Sequence, residues 1–336
     1  MISAFAPLAD VVRGETVESI HHGAIAVVNL RGEVVYHAGD PHHVTFARSS
    51  IKPFQALPFL AADGAAAFGF GPEEIALFCA SHSGEERHVA GVRRILQRIG
   101  CDEHHLQCGC HLPLAYSSID QVPPGAHVNQ LHHNCSGKHA GFLAYCVQHN
   151  LPLETYLDPD HPHQRAVRTA LACATSLPES SLACGTDGCS APNYALPLSG
   201  LAYAYARLAQ GGEDPDFGKP FAEVFQAMTT HPELVSGTGR GDLALMQTAP
   251  RDWVAKAGAE GVQAIGIRSA GLGIAIKVAD GNARALLPAA ISVLLQLELL
   301  RDVQATPLSA WSRPALYNLR EIAVGEIRPT IELQPS

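Results

Sequence analysis

The pattern of apolar and polar positions predicts strands at both ends of the chain and helices between them. Near the N-terminus, residues 23–38 contain two runs rich in β-branched side chains, joined by a tight turn at residues 29–32, which predicts a hairpin. The final third contains further runs typical of strands, at residues 253–258, 264–268, 272–278 and 322–327. One antiparallel sheet is therefore expected to be assembled from residues of about 11–45 and 250–330.

Helical spacing of the apolar positions dominates the middle of the chain. The predicted helices cover residues 72–78, 85–99, 140–149, 163–177, 198–209, 221–231, 242–248 and 285–301. Residues 100–134 lack a clear period and predict a long loop, which a compact domain rarely carries without a function. Small and polar side chains predict a turn at residues 183–189. We therefore expect an α/β (α+β) fold in a single domain over residues 1–336, with helices packed on the sheet and a mostly helical region over about 50–248.

The composition argues against several classes of protein. Hydrophobic residues make up 47% and charged residues 16% of the chain, and the formal net charge is −9 without any cluster of Lys or Arg. This favours a soluble globular protein and argues against nucleic acid as a partner. The longest apolar run, residues 285–300, contains Pro, Gln and Glu and is too short to cross a membrane. Because no signal-peptide pattern opens the sequence, we expect a cytoplasmic protein whose nine cysteines are reduced.

Ser49 and Lys52 have the spacing of a nucleophile and its base. They lie at a predicted helix start, with a Ser pair at the cap and Pro53 in the first turn. Residues three apart share one face of a helix. A serine hydroxyl becomes a nucleophile when a neighbour takes its proton, and a lysine does this only where burial or a second cation lowers its pKa. The simpler alternative is a capping serine beside a solvated lysine.

Ser81 and Lys256 extend this pair into a possible catalytic group. Ser81 lies in a Ser-His-Ser loop after a predicted helix, and Lys256 lies on a predicted strand that ends in Lys-Ala-Gly. A helical Ser-x-x-Lys, a loop Ser and a Lys-x-Gly strand occur in the same order in serine β-lactamases and penicillin-binding proteins. Two neighbouring lysines would lower the pKa of one another. Taken alone, Lys256 is more simply a half-exposed lysine of a sheet.

Cys135, Lys138 and Cys189 form a candidate metal site. They lack the paired spacing of an ordinary zinc signature, although a lysine can ligate zinc once it is deprotonated. Buried structural thiols are the simpler alternative on chemistry alone. A rival cluster, the Cys-Gly-Cys-His of residues 108–111, has no third partner at helical or turn spacing.

Together, these motifs resemble the rhizobial-type (class 3, thermolabile-type) L-asparaginase family of the asparaginase II superfamily. The resemblance is carried by residues 48–57, 79–83, 134–139 and 185–189, is continued by 256–258 and 266–268, and extends from about residue 14 to about residue 282. The residues at 50, 51 and 257 depart from the family's usual pattern. The tail after about Arg301 matches less well, and no function is assigned to it.

The resemblance implies a serine β-lactamase-like fold, a homodimer, and hydrolysis of L-asparagine to L-aspartate and ammonia. It implies two Ser–Lys pairs and a zinc site, with the residues Ser49/Lys52, Ser81/Lys256 and Cys135/Lys138/Cys189. It also implies a zinc-bound water oriented by Asp187. A free amino acid needs a cation for its carboxylate and an anion for its ammonium, and the candidates for these contacts are Arg48, His139 and Asp187.

Two alternative functions stay open at the level of sequence. One is another serine amidohydrolase on the same scaffold, of glutaminase, β-lactamase or peptidase type, because a fold does not determine its substrate. The thiol–lysine group argues against a β-lactamase, which has no use for it. The other is a non-catalytic metal-binding protein that senses amino acids, against which stand four intact Ser and Lys residues.

Overall fold

The computed structural model describes residues 4–116, 121–122 and 125–336, and these fall into two compact units. Unit 1 contains the chain up to Ser50, Leu196–Arg207 and Ala244–Ser336. Unit 2 contains Ile51–Ala195 and Leu208–Leu243. Part of the predicted 100–134 loop, residues 117–120 and 123–124, lies outside the described residues.

The strands occur in three groups along the chain. They are β1 (Ala6–Arg13), β2 (Thr16–Asn29), β3 (Val34–Ala38), β4 (Val44–Phe46), β5 (Ala183–Thr186), β6 (Pro192–Pro197), β7 (Trp253–Gly258), β8 (Val262–Ile267), β9 (Leu272–Val278), β10 (Ala315–Tyr317), β11 (Ala323–Pro329) and β12 (Gln334–Pro335).

The α-helices lie mainly in two stretches, between the first and second groups of strands and between the second and third groups. They are α1 (Lys52–Gln55), α2 (Leu57–Ala61), α3 (Gly64–Phe68), α4 (Pro72–Phe78), α5 (Glu86–Arg98), α6 (Ser136–Gln148), α7 (Pro162–Thr175), α8 (Leu198–Gln210), α9 (Gly218–Thr230), α10 (Pro232–Val235), α11 (Gly241–Thr248), α12 (Leu286–Gln296) and α13 (Ser309–Ser312). Within the described part of the chain, none of them combines the length and hydropathy needed to cross a bilayer.

Unit 1 is built on one antiparallel sheet that joins strands from both ends of the sequence. Its order is β10-β11-β1-β2-β9-β8-β7, and β3 pairs with both β2 and β12. The long strand β2 pairs with β9 in a register that sets Gly23 opposite Val278 and Asn29 opposite Leu272. This confirms the predicted α/β class and the predicted assembly of the sheet from N- and C-terminal strands. The predicted hairpin at residues 23–38 is also confirmed.

Helix α12 covers one face of the sheet of unit 1, where it contacts β1, β8, β9 and β11. Its apolar side chains are almost all buried, as the sequence predicts for this run. The helix ends at Gln296 rather than at residue 301, because Glu298 takes a left-handed conformation with φ of 57° and the Leu299 N–H donates to the Leu294 carbonyl. Gly273 of β9 lies against α8, and a Cβ there would lie 1.8 Å from the Ala202 carbonyl oxygen.

Unit 2 packs α4, α5, α6 and α9 around an apolar core. Helices α4 and α6 approach so closely that a Cβ at Gly137 would lie 2.3 Å from the Leu77 carbonyl oxygen. On the other side of α4, the rings of Phe59 and Phe78 meet edge to face with centroids 5.6 Å apart. Glycine at position 137 therefore determines how near the start of α6 lies to α4.

The turn predicted at residues 183–189 is wrong for its first half. Ala183–Thr186 forms β5, which pairs antiparallel with β6, so the mostly helical region contains a hairpin that the sequence did not indicate. The four residues of β5 are small or polar and largely exposed, whereas β6 is buried. A short exposed strand without apolar alternation carries no period-2 signal, which explains the missed assignment.

Candidate active site and thiol cluster

The chain around Ser49 combines a strained backbone with an accessible hydroxyl. After β4, Arg48 takes a left-handed conformation with φ of 54°, and residues 48–51 form a single 3₁₀ turn that leads into α1. Ser50 is fully buried, and its hydroxyl donates to the Ala47 carbonyl at 2.6 Å. Ser49 is only half-buried. Of the two adjacent serines, Ser50 therefore closes the turn and Ser49 is the one that a substrate can reach.

Lys52 and Ser81 are brought into contact in unit 2. The Lys52 side chain is 1% exposed, and its Nζ donates to the Ala80 carbonyl at 2.6 Å and to Ser81 Oγ at 2.8 Å. The loop after α4 is held in place by a hydrogen bond from the Ser81 N–H to the Val235 carbonyl. The Lys52 amine is thus enclosed with one hydroxyl and one backbone carbonyl as its hydrogen-bond partners.

Lys256 lies on β7 in unit 1, where it is 1% exposed and its Nζ donates to the Ala257 carbonyl at 2.8 Å. A Cβ at Gly258 would lie 2.7 Å from the Ala47 carbonyl oxygen and 3.3 Å from the Arg48 Cβ. The end of the strand that carries Lys256 is therefore packed against the segment that leads into Ser49. The Arg48 guanidinium also lies 4.0 Å from the Glu260 carboxylate.

Cys135, Lys138 and Cys189 converge in unit 2. Cys135 precedes α6, Lys138 lies in its first turn, and Cys189 follows the β5–β6 hairpin's first strand; all three are at most 5% exposed. Lys138 Nζ lies 3.0 Å from Cys189 Sγ. In the turn that contains Cys189, Asp187 accepts hydrogen bonds from the Gly188 N–H at 2.7 Å and from Asn193 Nδ2 at 2.8 Å. The hairpin that sequence reasoning missed thus positions the second thiol.

The two thiols differ in protonation because they share one hydrogen bond. This bond from Cys135 lowers the pKa of Cys189 far below that of a free thiol, against the opposing effect of burial. The same bond, together with burial, raises the pKa of Cys135. Burial alone would lower the pKa of Lys138, but the charge of Cys189 outweighs it and raises that pKa. These directions favour negative charge on Cys189 rather than on Cys135, next to a Lys138 that is favoured in its charged form.

His139 is positioned by a tyrosine that sequence reasoning missed. The Tyr156 hydroxyl accepts from the Gln107 N–H at 2.9 Å and lies 2.7 Å from His139 Nδ1, so its own proton points to that nitrogen. Burial lowers the pKa of His139 to about 4, so the ring is neutral and carries its proton on Nε2. A hydrogen bond to the Cys189 side chain opposes the effect of burial on the His139 pKa without cancelling it. No local motif marks Tyr156, which lies outside every recognised segment.

The donor set fits a thiophilic divalent metal held by Cys135, Lys138 and Cys189. Two sulfurs and one amine that converge in a buried site are ligands that zinc accepts, provided that Lys138 loses its proton. Among the described residues, no group of three or more His, Cys, Asp or Glu side chains lies where it could hold a metal, so such a site depends on Lys138. The rival cluster at residues 108–111 does not converge: Cys108 is buried and Cys110 is exposed.

Unit 1 thus contains the half-buried Ser49 and the buried Lys256, and unit 2 contains the buried Lys52 beside Ser81. The profile of the L-asparaginase II family matches residues 9–329, and the chain therefore belongs to that family. This membership makes it an amidohydrolase. No curated protein sequence matches the chain.

Several solved structures are similar to this chain. One is Mglu in its native form, with 17% identity and a TM-score of 0.40 over 83% of this chain and 62% of that chain. Another is a β-lactamase from Mycobacterium bovis, with 15% identity and a TM-score of 0.42 over 82% of this chain and 94% of that chain. A putative β-lactamase from Bacteroides dorei has 11% identity and a TM-score of 0.41 over 82% and 93% of the two chains. The present chain thus spans less than two thirds of the length of Mglu.

Proposed function

We propose that this protein is an L-asparaginase that hydrolyses L-asparagine to L-aspartate and ammonia. The observation that carries the proposal is the contact between buried Lys52 and Ser81. Lys52 lies three residues after the accessible Ser49, and the family match covers residues 9–329 of the chain. A lysine used only for solubility would be exposed to water, whereas this one is enclosed with its amine on a hydroxyl.

In this proposal, Ser49 Oγ attacks the side-chain amide carbon of asparagine. A neutral lysine takes the hydroxyl proton, either Lys52 directly or Lys256 through Ser81. Backbone N–H groups at the start of α1 are the donors for the oxyanion, since the first N–H groups of a helix lack intrahelical partners. The proton then passes to the leaving nitrogen, ammonia departs, and water hydrolyses the aspartyl ester on Ser49.

Arg48, His139 and Asp187 are proposed to bind the charged groups of the free amino acid. Arg48 supplies a cation for the α-carboxylate, and Asp187 supplies an anion for the ammonium group. His139 is neutral, and its Nε2–H is the donor proposed for a carboxylate oxygen. The Tyr156 hydroxyl orients the imidazole ring for this contact.

We also propose zinc as a cofactor, held by Cys135, Lys138 and Cys189, and a homodimer as the working form in the cytoplasm. When bound, zinc would supply a positive charge that orients the substrate or polarises it. Cys189→Ser is expected to abolish zinc binding, measured as metal content after dialysis. Cys184→Ser is the matched control because Cys184 is exposed on β5, close in sequence but outside the cluster. Equal zinc content in both variants would contradict the zinc site, and a monomer by light scattering would contradict the dimer.

The function is tested by ammonia release from L-asparagine and L-glutamine, with and without added zinc. Ser49→Ala is expected to lower kcat for asparagine by at least about 10³-fold, because it removes the nucleophile. Ser50→Ala is the control, since this neighbouring hydroxyl is committed to the Ala47 carbonyl and should leave kcat within a few-fold. Near-normal turnover by Ser49→Ala would exclude this mechanism.

Glutaminase activity is the nearest alternative within the amidohydrolase class. One additional methylene in the substrate changes binding by only about 1–3 kcal/mol, so a preference for asparagine is a matter of degree. Ammonia release from glutamine alone would replace the proposed substrate but retain the mechanism. If neither amino acid released ammonia, the asparaginase proposal would be overturned, and β-lactams and peptide amides would then be tested.

A further inference from the structure

A cavity opens in unit 2 among residues that the proposed chemistry does not use. It has a volume of about 210 Å³ and lies between α5, the turn that follows α5, and the segment at Leu131. Three buried side chains form its floor: Leu96, Cys101 and Leu131, which are 1%, 7% and 2% exposed. The cavity is smaller than the roughly 300–1,000 Å³ of pockets that hold drug-sized ligands, so only a small molecule fits.

The rim of this cavity carries charges of both signs that do not pair with each other. Arg93 makes no hydrogen bond or ion pair within the described ranges, whereas its neighbour Arg94 lies 3.5 Å from the Glu73 carboxylate. Two consecutive carboxylates, Asp102 and Glu103, also line the cavity and form no ion pair with Arg93 in the part of the chain that the structure describes. Because these opposite charges form no ion pair with each other, a ligand that carries both charges can bind between them.

Each carboxylate also keeps one oxygen available. Asp102 Oδ1 accepts from the His104 N–H at 3.0 Å and lies 2.9 Å from His105 Nδ1, while Oδ2 has no partner in the described part of the chain. Glu103 uses Oε2 to accept from Asn129 Nδ2, and its Oε1 likewise has none there. These bonds fix both carboxylates in place without saturating them, which is how a preformed ligand site holds its polar groups.

The Cys101 thiol adds an independent observation at the floor. It is more than nine-tenths buried, it lines the cavity, and it makes no hydrogen bond to any residue that the structure describes. Leu96 and Leu131 are the only other buried side chains among the described residues that line the cavity. The floor is therefore apolar and, at the Cys101 sulfur, polarisable, which suits an uncharged side chain of a ligand.

We propose that this cavity is a binding site for a small α-amino acid with an uncharged, largely apolar side chain. Arg93 binds its carboxylate, Asp102 and Glu103 bind its ammonium group, and its side chain rests on the floor at Cys101. A simple anion would face two carboxylates, and a simple cation would face Arg93, so a ligand with both charges is favoured over either. The site is separate from the residues of the proposed catalysis and stands whether or not the protein hydrolyses asparagine.

The test is calorimetric titration of the full chain with L-leucine and L-methionine. We expect saturable binding of one ligand per chain, weakened at least about tenfold in Arg93→Gln and in Glu103→Gln. Arg94→Gln is the matched control and should bind as the unchanged protein does, because Arg94 is paired with Glu73 and does not line the cavity.

A second measurement locates the ligand without relying on variants. Bound L-leucine should slow alkylation of Cys101, followed by mass spectrometry, while alkylation of exposed Cys173 proceeds unchanged. Absence of saturable binding at millimolar ligand would overturn the proposal. So would binding that is unaffected by Arg93→Gln, or that L-asparagine displaces while Cys101 stays unprotected, since the ligand would then occupy another site.

Discussion

Lys52 Nζ and Ser81 Oγ lie 2.8 Å apart, although 28 residues separate the two side chains along the chain and three complete helices, α2, α3 and α4, lie between them. The lysine that sequence reasoning paired with Ser49 thus contacts the serine that it paired with Lys256. The buried amine of the first Ser–Lys motif therefore lies on the hydroxyl of the second.

Ser81→Ala removes the hydroxyl that Lys52 contacts and is expected to lower kcat by about 10²–10⁴-fold, the usual contribution of positioned proton transfer. The Ser83 hydroxyl, two residues away, donates to the Ser236 carbonyl at 2.9 Å. Ser83→Ala should therefore reduce the free energy of unfolding by about 1 kcal/mol and leave kcat within a few-fold. Steady-state kinetics and urea denaturation of both variants check this. An unchanged kcat in Ser81→Ala would contradict the role of this contact.

Gly137→Ala is expected to destabilise unit 2 by about 1–3 kcal/mol or more, because the added methyl group meets the Leu77 carbonyl 2.3 Å away and neither helix can yield by a rotamer change. Gly188→Ala, next to Cys189, is the control, since a Cβ at Gly188 meets no atom within 4 Å. Thermal denaturation should show a lower Tm for Gly137→Ala alone. Equal Tm values would mean that α4 and α6 are not packed this closely.

Tyr156→Phe removes one hydroxyl and leaves the Gln107 N–H and His139 Nδ1 without their partner. We expect a loss of about 1–3 kcal/mol in the free energy of unfolding. If His139 binds substrate, KM for asparagine should rise several-fold while kcat changes less. The control is Tyr194→Phe, a tyrosine 1% exposed whose hydroxyl has no hydrogen bond within the described residues. A KM effect of equal size in both variants would count against positioning through His139.

Acid should destabilise this protein through its buried histidines, and His163 tests the effect. Its ring is 1% exposed, neither nitrogen has a hydrogen-bond partner in the described chain, and burial lowers its pKa to about 3. Nearby groups disfavour the charged ring further: His161, His149, Lys138 and His139. The unfolded chain, with a histidine pKa of about 6.5, binds the proton first, so stability is complete above pH 6.5 and falls toward pH 3.

His163→Leu keeps the packing between Phe142 and Tyr145 and removes both the unpaired nitrogens and the titration. The free energy of unfolding of this variant, relative to that of the unchanged protein, should rise by about 2 kcal/mol when the pH is lowered from 7 to 5. Urea denaturation at both pH values measures this difference. His104→Leu is the control, because His104 is largely exposed in a turn. Parallel pH profiles for all three proteins would show that His163 does not carry the acid sensitivity.

Elements with strong local signals were predicted closely. Helix α4 was predicted at its observed bounds, because Pro72 begins it and acidic residues occupy its first turn. The strands β7 and β9 were likewise predicted over their observed bounds, since alternating β-branched and small residues end in clear turns. These features depend on neighbours in sequence, which is the information that a single sequence contains.

The parts that were missed depend on contacts between distant residues. Strand β5 has no apolar period, and only its pairing with β6 makes it a strand. Tyr156 matters because its hydroxyl reaches His139, and nothing around residue 156 marks that contact. The candidate residues themselves came from motifs, but the contact of Lys52 with Ser81 and the unequal protonation of Cys135 and Cys189 required coordinates.

The register of β2 against β9 has a consequence for synthesis of the protein on the ribosome. Asn29 emerges early and its partner Leu272 late, so β2 can pair with β3 at once but must wait for most of the chain before β9 arrives. During that interval the apolar side chains of Ile25 and Val27 lack their final cover, and an unpaired strand edge invites association with other chains. Production of this protein should therefore respond to chaperone supply and to slower translation more than its final stability would indicate.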